Sequence, residues 1–148
     1  MDPSLNIPIT AALLGGGMLV LQNALMLNVG MYRAGTKKGV GHDGDVQLER
    51  LVRRHGNLAE NAAIFVAVLA LLEIIQGQST FIVWTAIVFA AARMLHVLGF
   101  SHSSGSHLIE ATGGRRVFLL LRSMGATLSA VTGAVLGGYT VYTLLGLF

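Results

Sequence analysis

The stretch Asn61–Ala92, which reads NAAIFVAVLALLEIIQGQSTFIVWTAIVFAAA, decides the fold of this protein. Glu73 is its only charged residue, and Gln76-Gly77-Gln78-Ser79 is its polar break. About 20 consecutive apolar residues in a helix cross the hydrocarbon core of a bilayer. The stretch therefore predicts two membrane-spanning helices joined by a short turn.

The rest of the chain follows the same pattern. Of the 148 residues, 53% are hydrophobic and 11% are charged, against about 25% charged in an average soluble domain. Pro3–Tyr32 and Ser123–Phe148 contain no Asp, Glu, Lys or Arg. Lipid leaves backbone groups without partners outside a helix or a closed barrel, and no alternating strands are visible. We expect an all-α integral membrane four-helix bundle in one domain, residues 1–148, with helices at about 7–32, 51–76, 79–100 and 116–147.

The positive charges predict how the chain lies in the membrane. There are 10 basic and 7 acidic residues, a net charge of +3. Nearly all the basic residues fall in or beside the first and third connections, and none lies in the second or at either terminus. By the positive-inside rule, the first and third connections face the cytoplasm. Because topology accounts for these charges, we do not expect nucleic acid as a partner.

Cysteine is absent, so a disulfide, a Cys-ligated metal and a thiol nucleophile are all excluded. Any thiol chemistry needs a thiol that a ligand supplies. A metal site is not expected either, because His55, Glu60 and His96 are too scattered for a ligand pattern and no HExxH occurs.

Polar residues at the start of the second helix recur with the helical period. Arg53, Asn57 and Glu60 are spaced to share one helix face, as a cation, an amide and an anion. One interpretation is an interfacial belt, in which Arg50 and Arg54 extend toward lipid headgroups. The other is a functional site, because polar groups inside a membrane are costly. Asn57 and Glu60 favour the site, since both lie farther toward the apolar run.

The third helix adds a second polar set at the same level. Arg93 needs a partner for its charge, and Glu60 is the predicted one because it enters the membrane from the same side. His96 follows Arg93 by one turn on the same face. The adjoining helix ends supply three further groups: Arg33, Arg122 and Ser123.

This set of side chains suits a small zwitterion. Arginine forks bind carboxylates, and a glutamate binds an ammonium group. We therefore expect a ligand with several carboxylates, beside a groove that admits an apolar co-substrate from the lipid.

Two further features predict how parts of the helices pack. Gly125, Ser129, Gly133 and Gly137 form a stripe of small residues, which lets another helix approach closely. That helix could belong to the same chain or to another copy. Glu73 lies near the end of its helix, where we expect a solvated side chain.

The residues of the second helix resemble the signature of the MAPEG family, the membrane-associated proteins in eicosanoid and glutathione metabolism. The signature, basic–x–His–x–Asn–x–x–Glu, corresponds here to Arg53-Arg54-His55-Gly56-Asn57-Leu58-Ala59-Glu60. Arg93-x-x-His96-x-x-x-Phe100 is similar to a second family motif, which ends in Tyr. Gly44-Asp45, Leu48 and Arg50 resemble bacterial-type members. The resemblance covers nearly the whole chain.

The resemblance implies a homotrimer that binds glutathione between neighbouring subunits near the cytoplasmic face. The residues that would bind it, carried over by position or placed at the same level, are Arg33, Arg53, Asn57, Glu60, Arg93 and His96. Two departures stand out: Asn61-Ala62-Ala63 replaces a frequent Tyr and a Pro soon after it, and Phe100 lacks the family hydroxyl. A thiol-activating tyrosine at that position is therefore excluded.

The resulting hypothesis is a glutathione transferase, or peroxidase, acting on lipophilic electrophiles or hydroperoxides. Arg122 would stabilise the glutathione thiolate with Ser123 or His96 as a second donor, and Arg115 and Arg116 are alternatives to Arg122. A small multidrug-type transporter using Glu60 or Glu73, or a catalytically silent scaffold, are the competing functions. The absence of cysteine and the bacterial-type connection favour a bacterial inner membrane over the endoplasmic reticulum.

Overall fold

Four helices account for almost all of the chain that the structure, a computed structural model, describes, namely residues 6–103 and 116–146. The helices are α1 (Ile9–Thr36), α2 (Val46–Gln76), α3 (Thr80–Gly99) and α4 (Arg116–Leu145). No strand occurs in the described ranges. Each helix is long and apolar enough to cross a membrane. The protein is an all-α, multi-pass membrane protein.

Local side-chain chemistry sets where the helices begin. Asp45 caps α2, because its carboxylate accepts a hydrogen bond from the Leu48 backbone N–H at 3.0 Å. This cap starts α2 at Val46, earlier than the Leu51 that hydrophobicity suggested, since capping is independent of the apolar run. Ser79 caps α3 in the same way, accepting from the Ile82 N–H.

The helices pack as two hairpins. α1 packs mainly against α2, and α3 mainly against α4. Phe65 of α2 and Phe89 of α3 stack with ring centroids 3.7 Å apart and join the hairpins. Buried aliphatic residues extend this core along the bundle, among them Leu14, Leu58, Leu69, Ile82 and Leu136. Large apolar side chains on the outer surfaces, such as Trp84 and Tyr142, remain exposed, as lipid contact requires.

The two ends of the bundle differ in composition. The end at which α1 and α3 finish and α2 and α4 begin carries the arginines, and we call it the basic end. The opposite end contains the α2–α3 connection, Gly77–Ser79, and we call it the turn end. At the turn end Gln76 of α2 donates to Thr143 of α4, and Asn6 donates to the carbonyl of Ile74.

The small-residue stripe of α4 divides into two halves. A Cβ at Gly125 would lie 2.5 Å from the His96 backbone N and 2.7 Å from the Ala92 carbonyl oxygen, so α3 and α4 touch through their backbones here. A Cβ at Gly133 or Gly137 would meet no atom within 4 Å. The first half therefore packs within the chain, and the second half faces open space.

Glu73 corrects a prediction. Its side chain is 0% exposed rather than solvated, and its carboxylate accepts hydrogen bonds from the backbone N–H groups of Thr10 and Ala11, at 3.0 and 2.9 Å. These belong to the first turn of α1, which has no capping side chain of its own. A carboxylate there satisfies free N–H groups and the positive end of the helix dipole. Glu73 thus caps a neighbouring helix.

Candidate functional site

The predicted polar face of α2 lies at the surface of the basic end. Arg53 is exposed and its Nε donates to Glu49 at 2.8 Å. Asn57 is half-buried and its side chain donates back to the Arg53 carbonyl at 2.9 Å. Glu60 is exposed and forms no ion pair within the described ranges. The three side chains share a face that a ligand or another copy of the chain could reach.

Arg93 reaches across three helices. It is 2% exposed, and its guanidinium donates to the carbonyl of Asn57 on α2 at 3.2 Å and to that of Gly125 on α4 at 3.5 Å. The predicted ion pair with Glu60 is wrong: Arg93 binds backbone carbonyls, because it points between the helices while Glu60 points out of the bundle. The Arg93 Nε is buried without a hydrogen-bond partner.

Arg122 and His96 both contact the aromatic ring of Phe100. The Arg122 guanidinium lies 4.5 Å from the centroid of Phe100, and the His96 ring lies 5.1 Å from it. Gly99 makes this possible, since a Cβ there would collide with the Arg122 backbone. An arginine over an aromatic face is a favourable cation–π contact. Ser123, beside Arg122, is exposed.

Hydrogen bonds of Asn57 and Arg93 connect α2 to α3 and α4. The Asn57 carbonyl accepts from Arg93, and the Asn57 side chain donates to the Arg53 carbonyl. The predicted residues Arg53, Asn57, Arg93, His96 and Arg122 therefore lie at one level of the basic end.

Arg33 has a different setting. Its guanidinium donates to carbonyls of the α1–α2 connection, at 3.2 Å to Gly39 and 2.9 Å to Gly41. In the same connection Lys38 pairs with Asp45 at 2.8 Å, and this ion pair with the Leu48 N–H lowers the pKa of Asp45 to about 2. The structure shows Arg33 shaping this connection. Arg115, an alternative to Arg122, lies outside the described residues.

The sequence leaves two interpretations open for Arg50 and Arg54, an interfacial belt and a functional site. The structure buries both side chains, at 9% exposure. Arg50 donates to the carbonyl of Phe100, the C-terminal cap residue of α3, at 2.7 Å, and also to Gln47. Arg54 lies one turn farther along α2. The available signal was their helical spacing with Leu58, which places Arg54 on the buried face.

Among the apolar grooves of the bundle, two are lined by α2. One, of about 360 Å³, lies among α2, α3 and α4, with Glu60 and Asn61 at one end and Gly133 and Gly137 on its α4 side. The other, also about 360 Å³, lies between α1 and α2 and includes Gln22. Gln22 is hydrogen-bonded to His55 at 2.6 Å. No group of three or more potential metal ligands occurs in residues 6–103 and 116–146.

Comparison with known proteins identifies the architecture. The sequence profile of the MAPEG family matches residues 9–142, nearly the whole chain. The chain belongs to the MAPEG family. No curated protein matches it significantly. MAPEG membership agrees with four membrane helices and supports, at the level of the family, a function in membrane-bound glutathione or eicosanoid metabolism.

Proposed function

We propose that this MAPEG protein is a membrane-embedded glutathione transferase that activates the thiol of glutathione for attack on lipophilic electrophiles, with hydroperoxide reduction as a related activity. The observation that carries the proposal is the unbalanced positive charge of the basic end. Arg50, Arg54 and Arg93 are buried, and none has a carboxylate partner among the described residues. Buried charges are normally paired, so this end suits an anionic ligand.

Glutathione matches the available groups. Its two carboxylates suit the arginines, and its ammonium group suits the unpaired carboxylate of Glu60. In this proposal Arg33, Arg53, Asn57, Glu60, Arg93 and His96 form the binding site. The exposed face of Arg53 and Glu60 is completed by a second copy in a homotrimer.

Arg122 would act on the sulfur. A free thiol has a pKa near 8.5, and a neighbouring guanidinium favours its anion. The thiolate sulfur attacks an electrophilic carbon and forms a thioether, while the leaving group departs with the bonding electrons. Ser123 or His96 would donate a further hydrogen bond to the sulfur. Phe100 supports the Arg122 guanidinium through the cation–π contact.

The lipophilic substrate would come from the membrane. The groove that begins at Glu60 and Asn61 and continues along Phe65 is mostly apolar, and its α4 side includes the exposed Ala130. The protein would reside in a bacterial inner membrane with both basic connections in the cytoplasm.

The test combines binding, thiolate formation and turnover in detergent or nanodiscs. We expect glutathione binding by calorimetry, an ultraviolet thiolate signal, and conjugation of 1-chloro-2,4-dinitrobenzene. Arg122→Ala should abolish the thiolate signal and lower turnover at least about 100-fold, by analogy with the loss of one charge-stabilising donor. It should leave the oligomeric state unchanged.

Arg116→Ala removes the same charge from the start of the same helix and tests the alternative assignment directly; in this proposal it keeps the thiolate signal. If Arg122→Ala keeps the full thiolate signal, the assignment moves to Arg115 or Arg116. Failure of the wild-type protein to bind glutathione at millimolar concentration would favour a transporter or a scaffold. Glu73 offers little to a transporter, since backbone N–H groups occupy its carboxylate.

A further inference from the structure

Arg54 is a buried cation that has no hydrogen bond or ion pair within residues 6–103 and 116–146. Its side chain is 9% exposed, it lies on the core face of α2 with Leu51 and Leu58, and its Nε is buried without a hydrogen bond. No ion pair or hydrogen bond from its guanidinium occurs within the described residues. Arg50, one turn away, adds a second positive charge that repels it.

The acidic side chains within residues 6–103 and 116–146 do not balance the charge of Arg54. Asp45 is paired with Lys38, and Glu49 is paired with Arg53. Glu73 is buried at the opposite end of the bundle. The other two are exposed and form no ion pair: Asp43 and Glu60.

An arginine cannot relieve this situation by losing its proton, because a guanidinium stays protonated in proteins. Burying an unpaired charge opposes folding, and more so in a membrane. A planar guanidinium also has a preferred ligand, an oxyanion that accepts two parallel N–H bonds. We propose that Arg54, with Arg50 beside it, forms an oxyanion-binding subsite that takes a carboxylate or a phosphate from a bound ligand.

Two ligands can supply this group. One is a carboxylate of glutathione, in which case the inference rests on the proposed function and adds Arg54 to the binding site. The other is the phosphate of an anionic phospholipid, which reaches the basic end at the level of the headgroups. The second source is independent of any thiol chemistry. The chemistry at Arg54 is the same in both cases.

The experiment compares wild type with Arg54→Met, which keeps the length and apolar volume of the side chain but removes its charge. The full chain is placed in phosphatidylcholine nanodiscs, with or without glutathione, and in nanodiscs that contain phosphatidylglycerol. We expect wild type to gain thermal stability from at least one probe. Arg54→Met should lose most of that gain, with a rise of about tenfold or more in the dissociation constant of the probe. Without either probe, its melting temperature should equal or exceed that of wild type.

Two further variants make the outcome specific. Arg54→Lys keeps the charge and should keep part of the gain, because an ammonium binds oxyanions without the planar fork. Lys37→Met removes an exposed positive charge at the same end that has no role in the proposed site, and it should change the melting temperature without probes only slightly.

The inference is overturned if Arg54→Met melts well below wild type without a probe or fails to fold, because the charge is then balanced within the protein. It is overturned equally if the variant keeps the full gain from both probes, or if wild type gains nothing from either. A gain from phosphatidylglycerol alone would contradict the proposed function while supporting this subsite.

Discussion

Glu73 and Arg54 are both buried charges on α2, at opposite ends of the bundle, and they differ in their hydrogen-bond partners. The carboxylate of Glu73 receives two backbone hydrogen bonds and lies at the positive end of the α1 dipole. The guanidinium of Arg54 has neither a hydrogen bond nor an ion pair within the described residues. One charge is balanced by the fold itself, and the other is left for something that binds.

The difference assigns separate roles to the two ends. The turn end has a structural role. Hydrogen bonds of Glu73, Asn6 and Gln78 join the start of α1 to the end of α2 and to the α2–α3 connection. The basic end is held mainly through backbone carbonyls, as with Arg93, so its positive charge stays available. A loss of charge should therefore reduce stability at the turn end and reduce binding at the basic end.

The largest effect on stability is expected at the turn end. Glu73→Ala leaves two N–H groups of α1 without acceptors, and each buried unsatisfied group costs about 1–3 kcal/mol. We expect a loss of about 3–4 kcal/mol in the free energy of unfolding, measured by denaturation in detergent. Glu73→Gln keeps one carbonyl acceptor and should lose about half as much. An unchanged stability in Glu73→Ala would remove the structural distinction between the two ends.

A smaller effect is expected at the seam between α3 and α4, which positions Arg93. Gly125→Ala places a methyl group against the His96 backbone, so α4 must move away from α3. Such overpacking costs about 2–3 kcal/mol. It should also weaken glutathione binding, because Arg93 loses its contact with the Gly125 carbonyl.

Gly133→Ala is the control for the seam. It makes the same change eight residues later on the stripe, where no atom lies within 4 Å of the new methyl group. It should be neutral, or stabilising by up to about 1 kcal/mol through helix propensity. Equal effects in the two variants would mean that the whole stripe packs in the same way.

The smallest effect is expected at the surface of the basic end. The folded-state pKa of Asp45 is about 2, below its ordinary value of 3.8. The group therefore contributes stability above pH 3.8, and this contribution is lost as the pH falls from 3.8 toward 2. Asp45→Asn keeps the helix cap but not the charge, so its melting temperature should fall less over this interval. Lys38→Met should move the transition of Asp45 back toward its ordinary pKa. A melting profile identical to wild type in both variants would contradict the ion pair.

Much of this architecture could be predicted from the order of residues. The apolar runs of Asn61–Ala92 specify membrane helices, because the length of a helix that crosses a bilayer is set by the thickness of the hydrocarbon. The spacing of Arg53, Asn57 and Glu60 places them on one helix face, because the helical period is constant. The signature at these positions indicated the MAPEG family, which the family profile confirms.

What could not be predicted depends on neighbours in space. Glu73 was expected to be solvated, but the first turn of α1 lies beside it and supplies two donors. Arg93 was expected to pair with Glu60, but the closeness of α3 and α4 at Gly125 offers it a carbonyl instead. A helical period states which residues share a face. It does not state which helix covers that face.

The residues alone therefore specify four membrane helices, the concentration of arginine at one end and a candidate site on α2, since these follow from hydrophobic length and helical period. Folding in three dimensions specifies the partner of each charge. Hydrogen bonds and ion pairs act over a few ångströms, and residues as distant in sequence as Thr10 and Glu73 come that close only after the helices pack. For this reason the contrast between Glu73, which has two hydrogen bonds, and Arg54, which has none within the described residues, is visible only in the folded protein.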